Sequence, residues 1–171
     1  WKNQLGDRLI TSDQIFELNA FPKPLAVIGS GVIAIELAQA MQRLGVNTTV
    51  FARSRKVGVL TSPKLQQLAQ TEISAELEIK LEVLPTKVKY INDQVEISFI
   101  ENGQPKTLNV DYLLVATGRS SFLNTLRLEN IYTSFTDLKH LPVDPETKQL
   151  ADYPIFIIGD AYTDTPLQHE A

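Results

Sequence analysis

The order of apolar and polar positions predicts an α/β domain at the start of the chain. Residues 25–28 form a short apolar run that stops at Gly29, which is typical of a parallel strand buried on both faces. Apolar residues then recur at helical spacing over residues 32–44, and Gly45 stands where a helix commonly ends. A second strand over residues 48–51 completes a βαβ unit, whose right-handed crossover makes the two strands parallel.

The pattern changes further along the chain. A crossover helix is predicted over residues 63–76, with a proline in its first turn, and a third strand over residues 79–84. Residues 86–110 alternate apolar and polar positions, with turn residues at Asn92-Asp93 and Asn102-Gly103, as in antiparallel hairpins. The expected fold is therefore a Rossmann-like parallel sheet built of βαβ units, with an inserted three-stranded antiparallel β-meander.

Three further segments complete this prediction. Residues 11–16 resemble a capped short helix in a polar lead-in. Residues 112–118 are apolar and predict a strand that returns to the parallel sheet. Residues 155–160 are also apolar until they end on a glycine and an aspartate, and they predict another strand.

Composition narrows the possible functions. The formal net charge of −4 argues against a nucleic-acid surface, since phosphate binding needs clustered cations. The longest apolar tract, residues 25–38, is interrupted by polar residues and is shorter than the roughly 20 residues of a bilayer span, so we expect a cytoplasmic protein without a membrane segment. The sequence contains no cysteine and begins with Trp1, so we expect an internal segment that lacks any thiol chemistry of its own.

The turn after the first strand carries a candidate cofactor site. It reads Gly29-Ser30-Gly31-Val32-Ile33-Ala34, with a strand before it and a helix after it. In a dinucleotide-binding turn the first glycine permits the bend, the second leaves room for the pyrophosphate, and a small third residue lets helix and strand pack closely. The helix N terminus offers its N–H groups to the phosphates. The alternative is an ordinary βα turn that happens to contain glycine.

The end of the second strand bears on the choice of dinucleotide. An acid there pairs with the 2′-hydroxyl of NAD, whereas arginines accommodate the 2′-phosphate of NADP. Ala52 is followed here by Arg53, Ser54, Arg55 and Lys56, so the sequence favours NADP over NAD. The alternative, in which these cations form a solvated surface loop, stays open.

Five stretches now resemble a known family: residues 25–38, 86–88, 114–119, 158–161 and 166–171. In this order they are similar to the pyridine-nucleotide domain of the disulfide reductase flavoproteins, the dihydrolipoamide dehydrogenase and glutathione reductase group, and the similarity covers almost the whole chain. The resemblance implies an NAD(P)-binding domain over residues 23–145. It also implies that residues 1–22 and 146–171 are edges of an FAD-binding domain.

The resemblance also implies roles for single residues. It places Val88 and Gly118 at the dinucleotide, in addition to the glycine turn, Arg53 and Arg55. Glu36 matches a carboxylate at the junction of nicotinamide and flavin and is the candidate catalytic residue; the alternative is a solvated helix position. The residues implied at FAD are Asp160, Pro166, Leu167, Gln168 and His169.

Two departures from the dihydrolipoamide dehydrogenase pattern limit what the resemblance implies about the dinucleotide. Ala52 replaces the acid that NAD-using members carry, and Arg53 stands where glutathione reductases carry a 2′-phosphate ligand. The redox dithiol and the His-Glu pair of the family belong to other domains, which agrees with the absence of cysteine. We expect no metal site, and no catalytic role for His140 or His169, because no acid stands near either at a metal-binding spacing.

The expected function is to bind NAD(P)H within a homodimeric, FAD-dependent oxidoreductase of cell redox homeostasis, where hydride passes to or from the flavin. By itself the chain is expected to be inactive, and the electron acceptor stays open. The alternative is a stand-alone regulatory module that binds a dinucleotide without hydride transfer. A single-domain dehydrogenase is disfavoured, because no Tyr-Lys or His-Asp arrangement is evident.

Overall fold

The structure is a computed structural model that describes residues 1–118, 122–138 and 140–161. The chain divides into two compact units, Trp1–Gly118 and Arg119–Ala171. The strands of the first unit are β1 (Leu9–Ile10), β2 (Pro24–Ile28), β3 (Asn47–Ala52), β4 (Glu78–Leu81), β5 (Pro85–Ile91), β6 (Gln94–Glu101), β7 (Gln104–Val110) and β8 (Tyr112–Val115). They form a five-stranded sheet in the order β1-β8-β2-β3-β4 and a separate three-stranded sheet in the order β5-β6-β7.

The pairing of the strands confirms the predicted fold class. Every pair in the five-stranded sheet is parallel, and both pairs in the three-stranded sheet are antiparallel. Residues 1–22 were predicted to be an edge of an FAD domain; they lie in the same compact unit as β2 and supply β1, which pairs with β8. The domain boundaries at residues 22 and 145 stay predictions.

The helices also follow the predicted pattern. They are α1 (Lys2–Leu5), α2 (Val32–Arg43) and α3 (Pro63–Glu76), and α3 begins at the predicted proline after Ser62. The expected short helix near residue 14 is a single 3-10 turn, Gln14–Glu17, and the Gln14 side chain accepts hydrogen bonds from the N–H and hydroxyl of Thr11. Among the described helices, none combines the length and the apolar character that a bilayer span requires. The cytoplasmic location stays a prediction.

The parallel sheet separates two hydrophobic clusters, because alternate side chains of a strand point to opposite faces. On one face, Val27 and Val50 pack with Ala34 and Ala38 of α2. On the other face, Phe51 packs with the meander and meets the ring of Phe99 edge-on, with 5.1 Å between ring centroids. The sheet therefore lies between α2 on one face and the meander on the other.

The turns of the meander lie where the sequence predicted them. Asn92 and Asp93 join β5 to β6, and both have positive φ angles of 51° and 62°. Asn102 and Gly103 join β6 to β7 with φ angles of 53° and 73°. Two successive residues with positive φ are the mark of the tight turn that suits the twist of a two-residue hairpin.

A charged network joins the two sheets of this unit. The ammonium group of Lys80 on β4 donates to Glu78 at 2.8 Å and to Glu101 on β6 at 2.9 Å, and its side chain is only 11% exposed. Burial opposes the charge of Lys80, yet these two hydrogen bonds leave its pKa above the ordinary value. The Lys80 hydrogen bond lowers the pKa of Glu78, and hydrogen bonds from Lys106 and then Lys80 lower the pKa of Glu101.

Replacing Lys80 with methionine is expected to reduce the free energy of unfolding by about 1–2 kcal/mol at neutral pH, because two carboxylates lose a charged donor. Since the folded state lowers the pKa of both carboxyls, their contribution is present above their ordinary pKa and is lost as the pH falls through the lowered values. Denaturant unfolding of wild type and Lys80→Met at pH 7 and pH 3 measures this.

The matched control for that experiment is Lys89→Met. Lys89 faces Glu96 across β5 and β6 at 3.8 Å and is about half exposed, so its removal is expected to change stability by less than about 0.5 kcal/mol. The network has no such role if Lys80→Met and Lys89→Met cost the same at pH 7, or if the cost of Lys80→Met is unchanged at pH 3.

The second unit has its own small core. One strand predicted within it is not observed. Its buried side chains are Leu123, Leu128, Phe135, Leu150 and Ile157. The predicted strand over residues 155–160 is wrong: the described part contains one isolated bridge there, from Gln149 to Phe156, followed by a 3-10 turn, Gly159–Ala161. Among the described residues, the run pairs only with residues 148–150, through hydrogen bonds from the N–H of Leu150 to Ile155 and from the N–H of Ile157 to Lys148. This contact is too short for a ladder, and the side chains of Phe156 and Ile158 remain exposed.

Candidate functional site

The candidate site lies at the carboxyl ends of three adjacent parallel strands. In the sheet, β2 stands between β3, which follows it in the chain, and β8, which comes much later. Such a reversal of strand order opens a crevice at the carboxyl edge, where ligands bind in open α/β sheets. Gly29 follows β2 and Arg53 follows β3, while Gly118 comes three residues after β8. The sheet thus brings three of the predicted segments to one edge.

Gly29 is required by the packing of the strand ends. Its N–H donates to the carbonyl of Phe51 at 2.9 Å, and the N–H of Ala116 donates to Ile28 at 2.9 Å. Gly29 has a φ of 125°, and a Cβ added to it would lie 2.3 Å from the carbonyl oxygen of Ala116. Both the backbone angle and the neighbouring main chain therefore exclude a larger residue.

Gly31, unlike Gly29, is not required by the packing of the protein. Its φ of −72° is open to any residue, and an added Cβ would meet no protein atom within 4 Å. The first hydrogen bond of α2 runs from the N–H of Ile35 to the carbonyl of Gly31, and no side chain caps the helix. The N–H groups of Val32, Ile33 and Ala34 precede that bond, so they point out of the helix end, beside open space. An anion such as a phosphate fits this arrangement.

The side chain of Ala34 packs between helix and sheet. It is fully buried, in the core between α2 and the sheet. A Cβ added to Gly29 would lie 3.4 Å from the methyl group of Ala34, so the two small residues let helix and strand approach. Val32 is half-buried, whereas Ile33 is 38% exposed.

Residues 53–58 form what we call the basic loop, and it lies directly against the glycine turn. The hydroxyl of Ser30 donates to the carbonyl of Lys56 at 2.7 Å. In the reverse direction, the N–H of Gly58 donates to the carbonyl of Ser30 at 2.7 Å. The turn and the loop are therefore joined by two hydrogen bonds through one residue.

The cations of the basic loop differ in their partners. Arg55 pairs with Glu82 at 3.0 Å, with both side chains well exposed. Arg53 and Lys56 are exposed, and within the described residues neither side chain has a hydrogen bond or an ion pair. Ala52, at the end of β3, is fully buried and its carbonyl accepts from Val83. The loop thus offers two uncommitted positive charges beside the glycine turn.

The other residues predicted at the dinucleotide differ in their exposure. Glu36 is exposed on α2, three residues after Ile33 and so on the same side of the helix. Gly118 has a φ of 122°, and a Cβ added to it would meet no atom of the described residues within 4 Å. Val88 is 1% exposed in the core of the meander, so its side chain is closed to a ligand and only its main chain could make the predicted contact.

Most residues predicted at FAD lie outside the part of the chain that the structure describes. Pro166, Leu167, Gln168 and His169 lie outside the described residues, as does the side chain of Asp160. His140 lies 2.8 Å from Asp137, an acid that the sequence reasoning did not associate with it, and both side chains are exposed. In the described ranges, no group of three or more acidic or histidine side chains could hold a metal ion.

Sequence reasoning missed the residues that fix the basic loop. Gln66 and Gln70 of α3 hydrogen-bond to the main chain of this loop, and Ser30 does so from the other side. The spacing of the two glutamines, four residues apart on a helix, was the one available signal. It does not reveal which segment they contact.

The sequence model of the family described as Pyridine nucleotide-disulphide oxidoreductase matches residues 2–171. The chain is 28% identical over 169 residues to a dihydrolipoyl dehydrogenase of Staphylococcus aureus, covering 98% of this chain and 36% of that protein. It is 33% identical over 157 residues to a mercuric reductase of Shigella flexneri, covering 91% of this chain and 27% of that protein.

Two solved structures share the fold. LpdA from Mycobacterium tuberculosis matches with a TM-score of 0.76 at 22% identity, covering 94% of this chain and 34% of that one. The HOCl-induced flavoprotein disulfide reductase RclA from Escherichia coli matches with a TM-score of 0.69 at 20% identity, covering 90% of this chain and 34% of that one. The chain therefore spans about a third of the length of the proteins it matches.

Proposed function

Because the chain belongs to the pyridine nucleotide-disulphide oxidoreductase family, we propose that it binds the adenosine and pyrophosphate part of NADP(H) for a flavin-dependent oxidoreductase. The family uses pyridine nucleotides and FAD. The observation that supports this proposal most directly is the open space beside Gly31 at the N terminus of α2. A pyrophosphate there would accept hydrogen bonds from the free N–H groups of the helix.

The preference for NADP over NAD rests on the basic loop. NADP differs from NAD by a 2′-phosphate, which charged donors bind more strongly than neutral ones. Arg53 directly follows the strand beside the glycine turn, and its side chain has no other partner among the described residues. Lys56 is similarly uncommitted, whereas Arg55 would first have to leave Glu82.

Replacing Arg53 with glutamate tests the preference. We expect wild type to bind NADP more tightly than NAD, and Arg53→Glu to weaken NADP by about 30-fold or more while leaving NAD within about threefold, since an attraction becomes a repulsion. Titration calorimetry with both dinucleotides measures the four affinities. Lys64→Glu makes the same charge change at an exposed position of α3 and is expected to alter the ratio little. Equal affinities of wild type for NADP and NAD would refute the preference.

Hydride transfer by the proposed oxidoreductase would need FAD-binding and dimerisation domains in addition to the residues of this chain. Bound NADPH and FAD would provide the hydride chemistry, while the residues of this chain bind and orient the dinucleotide. Glu36, exposed beside Ile33 on α2, is proposed to face the nicotinamide end. We further propose that FAD-binding and dimerisation domains complete a homodimeric enzyme, with Asp160 and residues 166–169 at the flavin. The chain alone should bind NADPH without oxidising it.

A further inference from the structure

The main chain of the basic loop is held by side chains from α3, although several of its own side chains are exposed. The side chain of Gln66, in the first turn of α3, forms two hydrogen bonds with this loop and a third with Leu60, two residues beyond it. Its carbonyl oxygen accepts from the N–H of Val57 at 2.9 Å. Its amide nitrogen donates to the carbonyls of Val57 at 3.0 Å and Leu60 at 2.7 Å.

Gln66 is itself well placed to hold a segment in position. Its main-chain N–H donates to the carbonyl of Ser62, so its backbone belongs to the regular start of the helix. Gln70, one turn later on the same side, donates to the carbonyl of Arg55. The side chain of Val57 is 1% exposed, which anchors the loop from inside. The loop therefore runs along α3, with the side chains of Arg53 and Lys56 projecting into solvent.

The same loop is joined to the glycine turn through Ser30, which bonds Lys56 on one side and Gly58 on the other. Gln66 and Ser30 thus contact consecutive residues of the loop from α3 and from the turn. A main chain that is held in place before a ligand arrives needs no further ordering when the ligand binds, so that only the side chains of the cations remain to be ordered, and this saves binding free energy. These hydrogen bonds therefore favour the binding of a ligand that contacts both the glycine turn and the basic loop.

We infer that Gln66 is a positioning residue that sets the preference for NADP, by holding the basic loop so that its cations meet the 2′-phosphate while the glycine turn binds the pyrophosphate. This inference rests on the proposed function and extends it to a residue that contacts no ligand. Gln66 acts through the main chain of Val57 and Leu60. Its loss should therefore affect the 2′-phosphate and spare the part of the ligand that NAD and NADP share.

The test replaces Gln66 with methionine, which is similar in length and cannot form the three hydrogen bonds. We expect the dissociation constant for NADP to rise about tenfold and that for NAD to rise less than about threefold, so that the ratio falls. Gln67→Met, at the neighbouring exposed position of α3, is the matched control and should leave the ratio unchanged. Thermal melting of each variant verifies folding, and Gln66→Asn, a smaller change, replaces Gln66→Met if that variant unfolds.

A double variant separates positioning from general damage. If Gln66 acts through the cations, Gln66→Met should cause a clearly smaller loss of NADP affinity in an Arg53→Glu background than in the wild type, because one of the two uncommitted cations of the loop is then already replaced. Equal weakening of NADP and NAD by Gln66→Met would overturn this inference but not the proposed function. Full additivity of Gln66→Met with Arg53→Glu would do the same. Failure of wild type to bind either dinucleotide would overturn the proposed function, and this inference with it.

Discussion

Replacing Gly29 with alanine is expected to lower the free energy of unfolding by about 3–5 kcal/mol, a large share of the stability of an ordinary domain. Two costs add. A residue with a side chain is strained at a φ of 125°, at a cost of about 1–3 kcal/mol. The new Cβ would also lie 2.3 Å from the carbonyl oxygen of Ala116, so β2 and β8 would have to separate. Chemical denaturation followed by circular dichroism measures the change.

Gly118→Ala is the matched control for Gly29→Ala. Gly118 has nearly the same φ, 122°, but an added Cβ there would meet no atom within 4 Å. The control therefore retains the conformational cost and removes the clash, and it should cost clearly less than Gly29→Ala. Equal costs for the two variants would show that the contact with Ala116 contributes nothing, contrary to the geometry of the strand ends.

The elements that the sequence predicted well are those with local causes. The helix over residues 63–76 was predicted with its observed bounds, because Pro63 marks its start and apolar residues recur along it. The hairpin turns at Asn92-Asp93 and Asn102-Gly103 were predicted because these residues adopt positive φ readily. The predicted strand over residues 155–160 failed, since a strand needs a neighbour, and an apolar run does not tell whether one is present.

In the candidate site, too, features with local causes were predicted and features that depend on distant neighbours were not. The glycine turn was recognised from its small residues, and the structure shows a local steric need at two of them, Gly29 and Ala34. The burial of the Val88 side chain was not foreseen, because it depends on how the meander packs against the parallel sheet. The link from Gln66 to Val57 was also not foreseen, since glutamine is common on exposed helices and its partner lies in a loop.

The two glycines of the turn have different roles, one in stability and the other in the proposed binding of the ligand. Gly29 lies between strand ends and faces the main chain of Ala116, whereas Gly31 faces open space at the helix end. A substitution at Gly29 should therefore act on stability. A substitution at Gly31 should act on the ligand, because the only volume that a new side chain would occupy is that proposed for the pyrophosphate.

Replacing Gly31 with valine is expected to weaken NADP and NAD alike by about 100-fold or more, since the side chain would fill the phosphate position and cover the N–H groups of α2. Stability should fall by less than about 1 kcal/mol, because a φ of −72° suits valine and no atom lies within 4 Å. Fluorescence titration of both dinucleotides, with denaturation of the same samples, measures the two effects. Gly31→Ala should give an intermediate loss of affinity. Unchanged binding in Gly31→Val would mean that the pyrophosphate does not lie at this helix end, and loss of NADP binding alone would place Gly31 at the 2′-phosphate instead.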